Sequence, residues 1–144
     1  MKIYIGSDHA GFELKKNIID NYNTLNLFQD CGCFNKNSVD YPDIAKIVCD
    51  NINKDLNNNI YSIGILICGT GIGMSIAANK FKNIRCALVH NIYTSEMAKK
   101  HNNANVLTFG SRIINFNQTI DIINKFLDSE FDGGRHIERL NKLP

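Results

Sequence analysis

Residues 62–73 read SIGILICGTGIG. The first seven, Ser62 to Cys68, are almost wholly apolar, as a central parallel strand covered on both faces requires. The next five hold three glycines, Gly69, Gly71 and Gly73, and a helix is predicted from Gly71 to Lys80. Such glycines let the backbone come close to a ligand. The helix that follows aims its free N–H groups and positive end at the same point, which makes an anion site. The turn lacks the Gly-Lys-Ser/Thr ending of a nucleotide phosphate loop. The same field favours a thiolate at Cys68. A thiolate beside an anion hole can take a proton from carbon while the N–H groups hold the resulting enediolate oxygens. The plainer reading of these residues is a tight strand–helix turn with a buried cysteine.

Working outward, strands and helices alternate along the chain. Strands are predicted at Lys2 to Gly6, Leu25 to Asp30, Arg85 to Val89 and Asn105 to Phe109. Helices are predicted at Gly11 to Tyr22, from Pro42 through Ile52, at Tyr93 to His101 and at Asn117 to Leu127. Strict alternation means an α/β fold: a flavodoxin-like (Rossmann-type) three-layer sandwich around a five-stranded parallel sheet. The expected strand order is 2-1-3-4-5, with the ligand site at the carboxyl ends of strands 1 and 3. No repeat or second domain is apparent. The chain reads as one domain over residues 1–144, with 128–144 as a C-terminal tail.

Composition narrows the function. The 144 residues carry 16 basic and 14 acidic side chains, for a net charge of +2. That balance argues against a nucleic-acid or membrane surface built on bulk charge. No apolar run approaches a membrane span, and the first residues read as a strand rather than a signal peptide. Five cysteines without metal or redox spacing fit a reduced, cytoplasmic protein. Asn and Ile occur 21 times each, and Lys outnumbers Arg 12 to 4. An A/T-rich genome produces that skew, so most Asn and Lys positions carry little information. The four arginines carry more, because a planar bidentate grip on phosphate needs Arg.

Strand 1 runs into Ser7-Asp8-His9-Ala10-Gly11, which the topology places beside Cys68. Asp8 is either a polar site residue or a cap for the helix at Gly11. His9 is a candidate phosphate donor. Arg135 and Arg139 lie four apart and share one face if the tail is helical, which suits a phosphate dianion. His90 and His136 have no evident partner and read as structural. His101-Asn102 ends the helix before strand 5, at the amino edge of the sheet. Within one subunit His101 does not reach Cys68, so a catalytic His101 has to come from a second subunit.

Together these motifs resemble ribose-5-phosphate isomerase type B, of the superfamily that includes the galactose-6-phosphate isomerase subunits. The resemblance rests on Ser7-Asp8-His9-Ala10-Gly11-Phe12 with Lys15, Asp40-Tyr41-Pro42, Ile67 to Gly73, Ser75 to Lys80, His101-Asn102, Asn105-Val106-Leu107, Phe109 to Arg112, and Gly133 to His136. It covers residues 2–139. It implies an aldose–ketose isomerase of the pentose phosphate pathway that needs no metal or cofactor. Ribose 5-phosphate and ribulose 5-phosphate would interconvert through a cis-enediolate. By position, Cys68 is the base, Gly69, Gly71, Ile72 and Gly73 belong to the anion hole, and Thr70 adds a hydroxyl to the proton traffic. One branch of the family uses a Glu where this chain has Met74, so the chain sides with the Cys branch. His101 opens the furanose ring and Asp8 binds sugar oxygens. His9, Arg135 and Arg139 hold the phosphate. Asn102, Arg112 and Tyr41 complete the pocket, and which subunit supplies Arg112 stays open. The resemblance further implies a homodimer with shared sites, in some members paired into tetramers, with the tail near the interface. The alternative substrate is a hexose 6-phosphate of galactose or allose. A non-catalytic flavodoxin-like binding module is disfavoured, because Cys68 stands where a receiver domain carries its phosphoacceptor Asp.

Overall fold

A computed structural model describes residues 1–22 and 27–144. In chain order the elements are β1 (Lys2–Ser7), α1 (Phe12–Asn21), β2 (Phe28–Asp30), α2 (Tyr41–Asn57), β3 (Ser62–Cys68) and α3 (Ile72–Ala78). They continue with β4 (Cys86–Leu88), α4 (Ile92–Asn102), β5 (Val106–Gly110), α5 (Phe116–Asp128) and α6 (Arg135–Leu140). The predicted start of the second strand, Leu25, lies outside the described residues. All strand pairs are parallel. No described helix is long and apolar enough to cross a membrane.

β3 is buried along its whole length, as its composition requires. It pairs with β1 from Lys2↔Ser62 to Ser7↔Ile67. On one face of the sheet Ile3, Ile5, Ile65 and Phe109 meet α1, α4 and α5 through Ile18, Ala98, Ile122 and Phe126. On the other, Tyr4, Leu66 and Val106 meet α2 and α3 through Val48, Cys49, Met74 and Ala78. This is the three-layer arrangement expected.

The strand order is β2-β1-β3-β5-β4, which corrects the expected 2-1-3-4-5. β5 is the direct partner of β3, from Gly64↔Val106 to Cys68↔Gly110. Two physical reasons favour the swap. Val106–Gly110 is wholly buried, so it belongs inside the sheet. Cys86–Leu88 is short and half-buried, as an edge strand is. Right-handed crossovers then set the helix layers. The chain moves one way from β1 to β2 and from β4 to β5, so α1 and α4 share a face. It moves the other way from β2 to β3 and from β3 to β4, so α2 and α3 share the opposite face. The Asn79 side chain covers the outer edge of β4, its amide donating to Cys86 O and its oxygen accepting from Cys86 N, each at 2.9 Å.

Candidate active site

The carboxyl ends of β1, β3 and β5 converge. Asp8 N donates to Ile67 O at 3.1 Å, which sets Asp8 beside the end of β3. Asp8 is buried and its Oδ1 accepts from Gly11 N at 3.1 Å. One carboxylate oxygen therefore caps the turn into α1. Ser111 N and Arg112 N donate to Cys68 O and Gly69 O, and Ser111 Oγ donates to Ala10 O at 2.8 Å. These bonds lace the three exit loops together.

Cys68 is 5% exposed. Gly71 N donates to its Sγ at 3.1 Å. That N–H is free because Gly71 caps the start of α3 at φ +81°, a conformation that favours glycine. A Cβ there would also lie 2.9 Å from the Phe109 carbonyl carbon. Thr70 is exposed, with its Oγ1 accepting from Ile72 N at 3.3 Å. A Cβ on Gly69 would meet Arg112 Nη1 at 2.8 Å, and one on Gly73 would meet Tyr41 Cζ at 2.7 Å. The missing side chains thus leave room for a guanidinium and a phenol to lie against the loop. Arg112 therefore reaches the glycine loop of its own chain. Met74 is fully buried in the core and offers no acid.

Burial pushes the Cys31 thiol up to about 11 and Cys49 up to about 12, and it raises Cys86 as well.

His9 is exposed beside this cluster. Val39 N donates to its Nδ1 at 3.3 Å. An Nδ1 that accepts leaves the proton on Nε2 as an outward donor. The loop that presents Val39 is anchored by Lys15, which is wholly buried. Its Nζ donates to Asp30 Oδ1 and to Cys33 O, each at 2.5 Å. Sequence reading named Lys15 only as part of a motif and missed this anchor. The available signal was its place three residues before Ile18, on the buried stripe of α1.

His101, Asn102, Arg135 and Arg139 are not part of this cluster. α4 ends at Asn102, before the amino end of β5. β5 spans five residues, roughly 15 Å of extended chain, between that edge and the Cys68 edge. The expected separation within one chain holds. At the amino edge the tail is helical, so Arg135 and Arg139 share a face of α6. The His101 and His136 rings stack at 4.4 Å with 14° between planes. This corrects the reading of His136 as partnerless. Burial, then His101, Arg135 and Arg139, hold the His136 imidazole below its ordinary value. His90 contributes no hydrogen bond from its ring and stays outside both clusters among the described residues.

A buried thiol facing an N–H at a strand-to-helix turn, on a parallel α/β sheet, defines a class: an α/β domain whose turn can hold an anion beside a thiol. The comparisons with known proteins narrow it. Residues 3–143 match the family described as Ribose/Galactose Isomerase, and the chain belongs to that family; it is an isomerase. A Listeria innocua protein named ribose-5-P isomerase B is 44% identical over 136 residues, covering 94% of this chain and 89% of that protein. The Clostridium thermocellum ribose-5-phosphate isomerase B structure superposes at a TM-score of 0.91, with 42% identity over 99% of this chain and 94% of that one. The Mycoplasma genitalium enzyme, solved with bound ribulose-5-phosphate, gives 0.89 and 42% over 98% and 92%.

Proposed function

We propose that this protein interconverts ribose 5-phosphate and ribulose 5-phosphate through a cis-enediolate, with Cys68 as the base. The observation that carries the reading is the Gly71 N–H donated to Cys68 Sγ inside a glycine turn. A sulfur that carries charge and an oxyanion that forms beside it draw on the same set of backbone donors. Cys68 moves the proton between carbons 2 and 1. Gly69, Gly71, Ile72 and Gly73 line the oxyanion side, and Thr70 relays a proton on the oxygens. Asp8 has its second carboxylate oxygen available for a sugar hydroxyl. Tyr41 and Arg112, which lie on the glycine loop, close the pocket wall.

A phosphate dianion suits a pair of guanidinium groups, and this edge offers Arg112 against the glycine loop. His9 supplies one N–H donor. Arg135 and Arg139 stand at the opposite edge with His101 and Asn102. Two copies arranged as a homodimer bring one copy's amino-edge group against the other's Cys68, so each site is shared. His101 then opens the furanose ring and Asn102 holds a sugar oxygen. The tail from 128 to 144 packs at that interface. The reaction needs no metal or cofactor. It belongs to pentose phosphate metabolism in the cytoplasm.

The test is ribulose 5-phosphate formation from ribose 5-phosphate, without added metal, for wild type and Cys68→Ala side by side. Loss of a general base at a preorganised site costs about a thousandfold or more. An active Cys68→Ala enzyme would remove Cys68 from the mechanism. A wild type active only on galactose or allose 6-phosphate would replace the substrate and keep the base.

A further inference from the structure

Two histidines and an aspartate meet where α4 ends and α6 begins. Their ligand-type atoms lie within 4.8 Å of one another in His101, Asp132 and His136. The set resembles a cation site, but the ring geometry opposes that use. Rings stacked at 14° point their lone pairs nearly parallel, whereas a metal held by both needs them to converge. What the geometry provides is an aromatic platform. His136 is buried, and His101 is half-buried against it. Neither ring has a protein hydrogen-bond partner among the described residues, so the stack is the contact that fixes the plane of His101. The platform is tied down twice. Asp132 N donates to Lys100 O at 3.0 Å, joining the tail to the last turn of α4, and His136 N donates to Gly133 O at 3.1 Å.

We propose that His136 is a positioning residue: its ring holds the His101 ring in the orientation that opens the sugar ring. The inference rests on the reading of His101 given above. It explains why a histidine stands between Arg135 and Arg139. The phosphate grip and the ring-opening group become one rigid piece, so the arginines that seat the phosphate also set where His101 lies relative to the ring oxygen. A neutral ring suits the role, since two imidazolium rings face to face repel. Four groups act on His136. His101 from α4, and Arg135 and Arg139 from its own helix, oppose its protonation, while Asp132 from the preceding loop favours it.

Ring opening and proton transfer can be read separately. Ribose 5-phosphate is largely a closed furanose and must be opened. Ribulose 5-phosphate has no hydroxyl placed to close a furanose. Exchange of its C1 hydrogen with solvent deuterium needs only the base and the anion hole. The experiment uses the full-length protein and follows two signals: isomerisation of ribose 5-phosphate, and deuterium uptake at C1 of ribulose 5-phosphate by NMR.

In His136→Ala, kcat for ribose 5-phosphate falls about tenfold or more, the size expected when a reacting group is displaced. C1 exchange stays within about twofold, because the base and anion hole are untouched. His136→Phe keeps an aromatic face and returns kcat to within about threefold of wild type. Undiminished kcat in His136→Ala overturns the proposal. So does a parallel loss of both signals, and so does a Phe variant as slow as Ala. The parent reading fails in a different way: His101→Asn that isomerises ribose 5-phosphate at the wild-type rate removes His101 from ring opening.

Discussion

One backbone N–H distinguishes Cys68 from its fellow cysteines. Gly71 N donates to its sulfur, while Cys31, Cys49 and Cys86 are raised chiefly by burial. Thiolate character and access decide alkylation rates. Iodoacetamide is therefore expected to modify Cys68 ahead of Cys31, Cys49 and Cys86, and a phosphosugar acid should protect it; peptide mapping over time checks both. Equal rates at all four positions would count against the base assignment. At this scale the sequence was legible where chemistry imposes a type. Cys68, Asp8 and the glycines stand at the ends of strands that could be read directly. Other residues were hidden because their roles depend on distant partners. Lys15 is buried by Asp30 and the Cys33 carbonyl, and His136 is defined by a ring 35 positions away. The Asn bias concealed structure as well. Asn91 and Asn115 cap α4 and α5, each through a reciprocal capping box. Asn59, Asn83 and Asn103 take positive φ, a conformation Asn tolerates better than most residues.

Among the elements, the exchange of β4 and β5 is the instructive difference. Alternation and periodicity place strands along the chain but do not order them in the sheet. The predicted ranges gave both strands five residues, and the structure separates them by length and burial. Val106–Gly110 can be covered on both faces, and Cys86–Leu88 is too short to be central. The consequence for the site is direct. With β5 next to β3, Ser111 and Arg112 hydrogen-bond to Cys68 and Gly69, and Phe109 lies against Gly71. The turn from β3 to α3 is thus clamped from the β5 side. Gly71→Ala sets a side chain at φ +81° and 2.6 Å from Leu88 Cδ1. Strain and overpacking together predict a stability loss of about 3 kcal/mol in urea unfolding. The displaced amide predicts a fall in kcat of about a hundredfold at temperatures where the variant is folded. A variant of normal stability and rate would show that the clamp is not needed.

At the scale of the whole molecule, the proposed site residues divide between two opposite edges of the sheet. The carboxyl edge has Cys68, the glycine loop, Asp8, His9, Tyr41 and Arg112. The amino edge has His101, Asn102, Arg135 and Arg139. Parallel sheet topology forces this division, because the end of α4 and the end of β3 lie at opposite edges. The fold therefore makes a firm demand: if both sets serve one substrate, two copies must supply them. The most direct measurement is complementation. Cys68→Ala and His101→Asn, each inactive alone on ribose 5-phosphate, are unfolded in urea, mixed in equal amounts and refolded together. In a hybrid dimer one site collects both defects and the other collects none. Random pairing makes half the dimers hybrids, so the account predicts recovery to about a quarter of wild-type activity. A mixture that contains hybrid dimers and yet stays inactive would contradict the shared site.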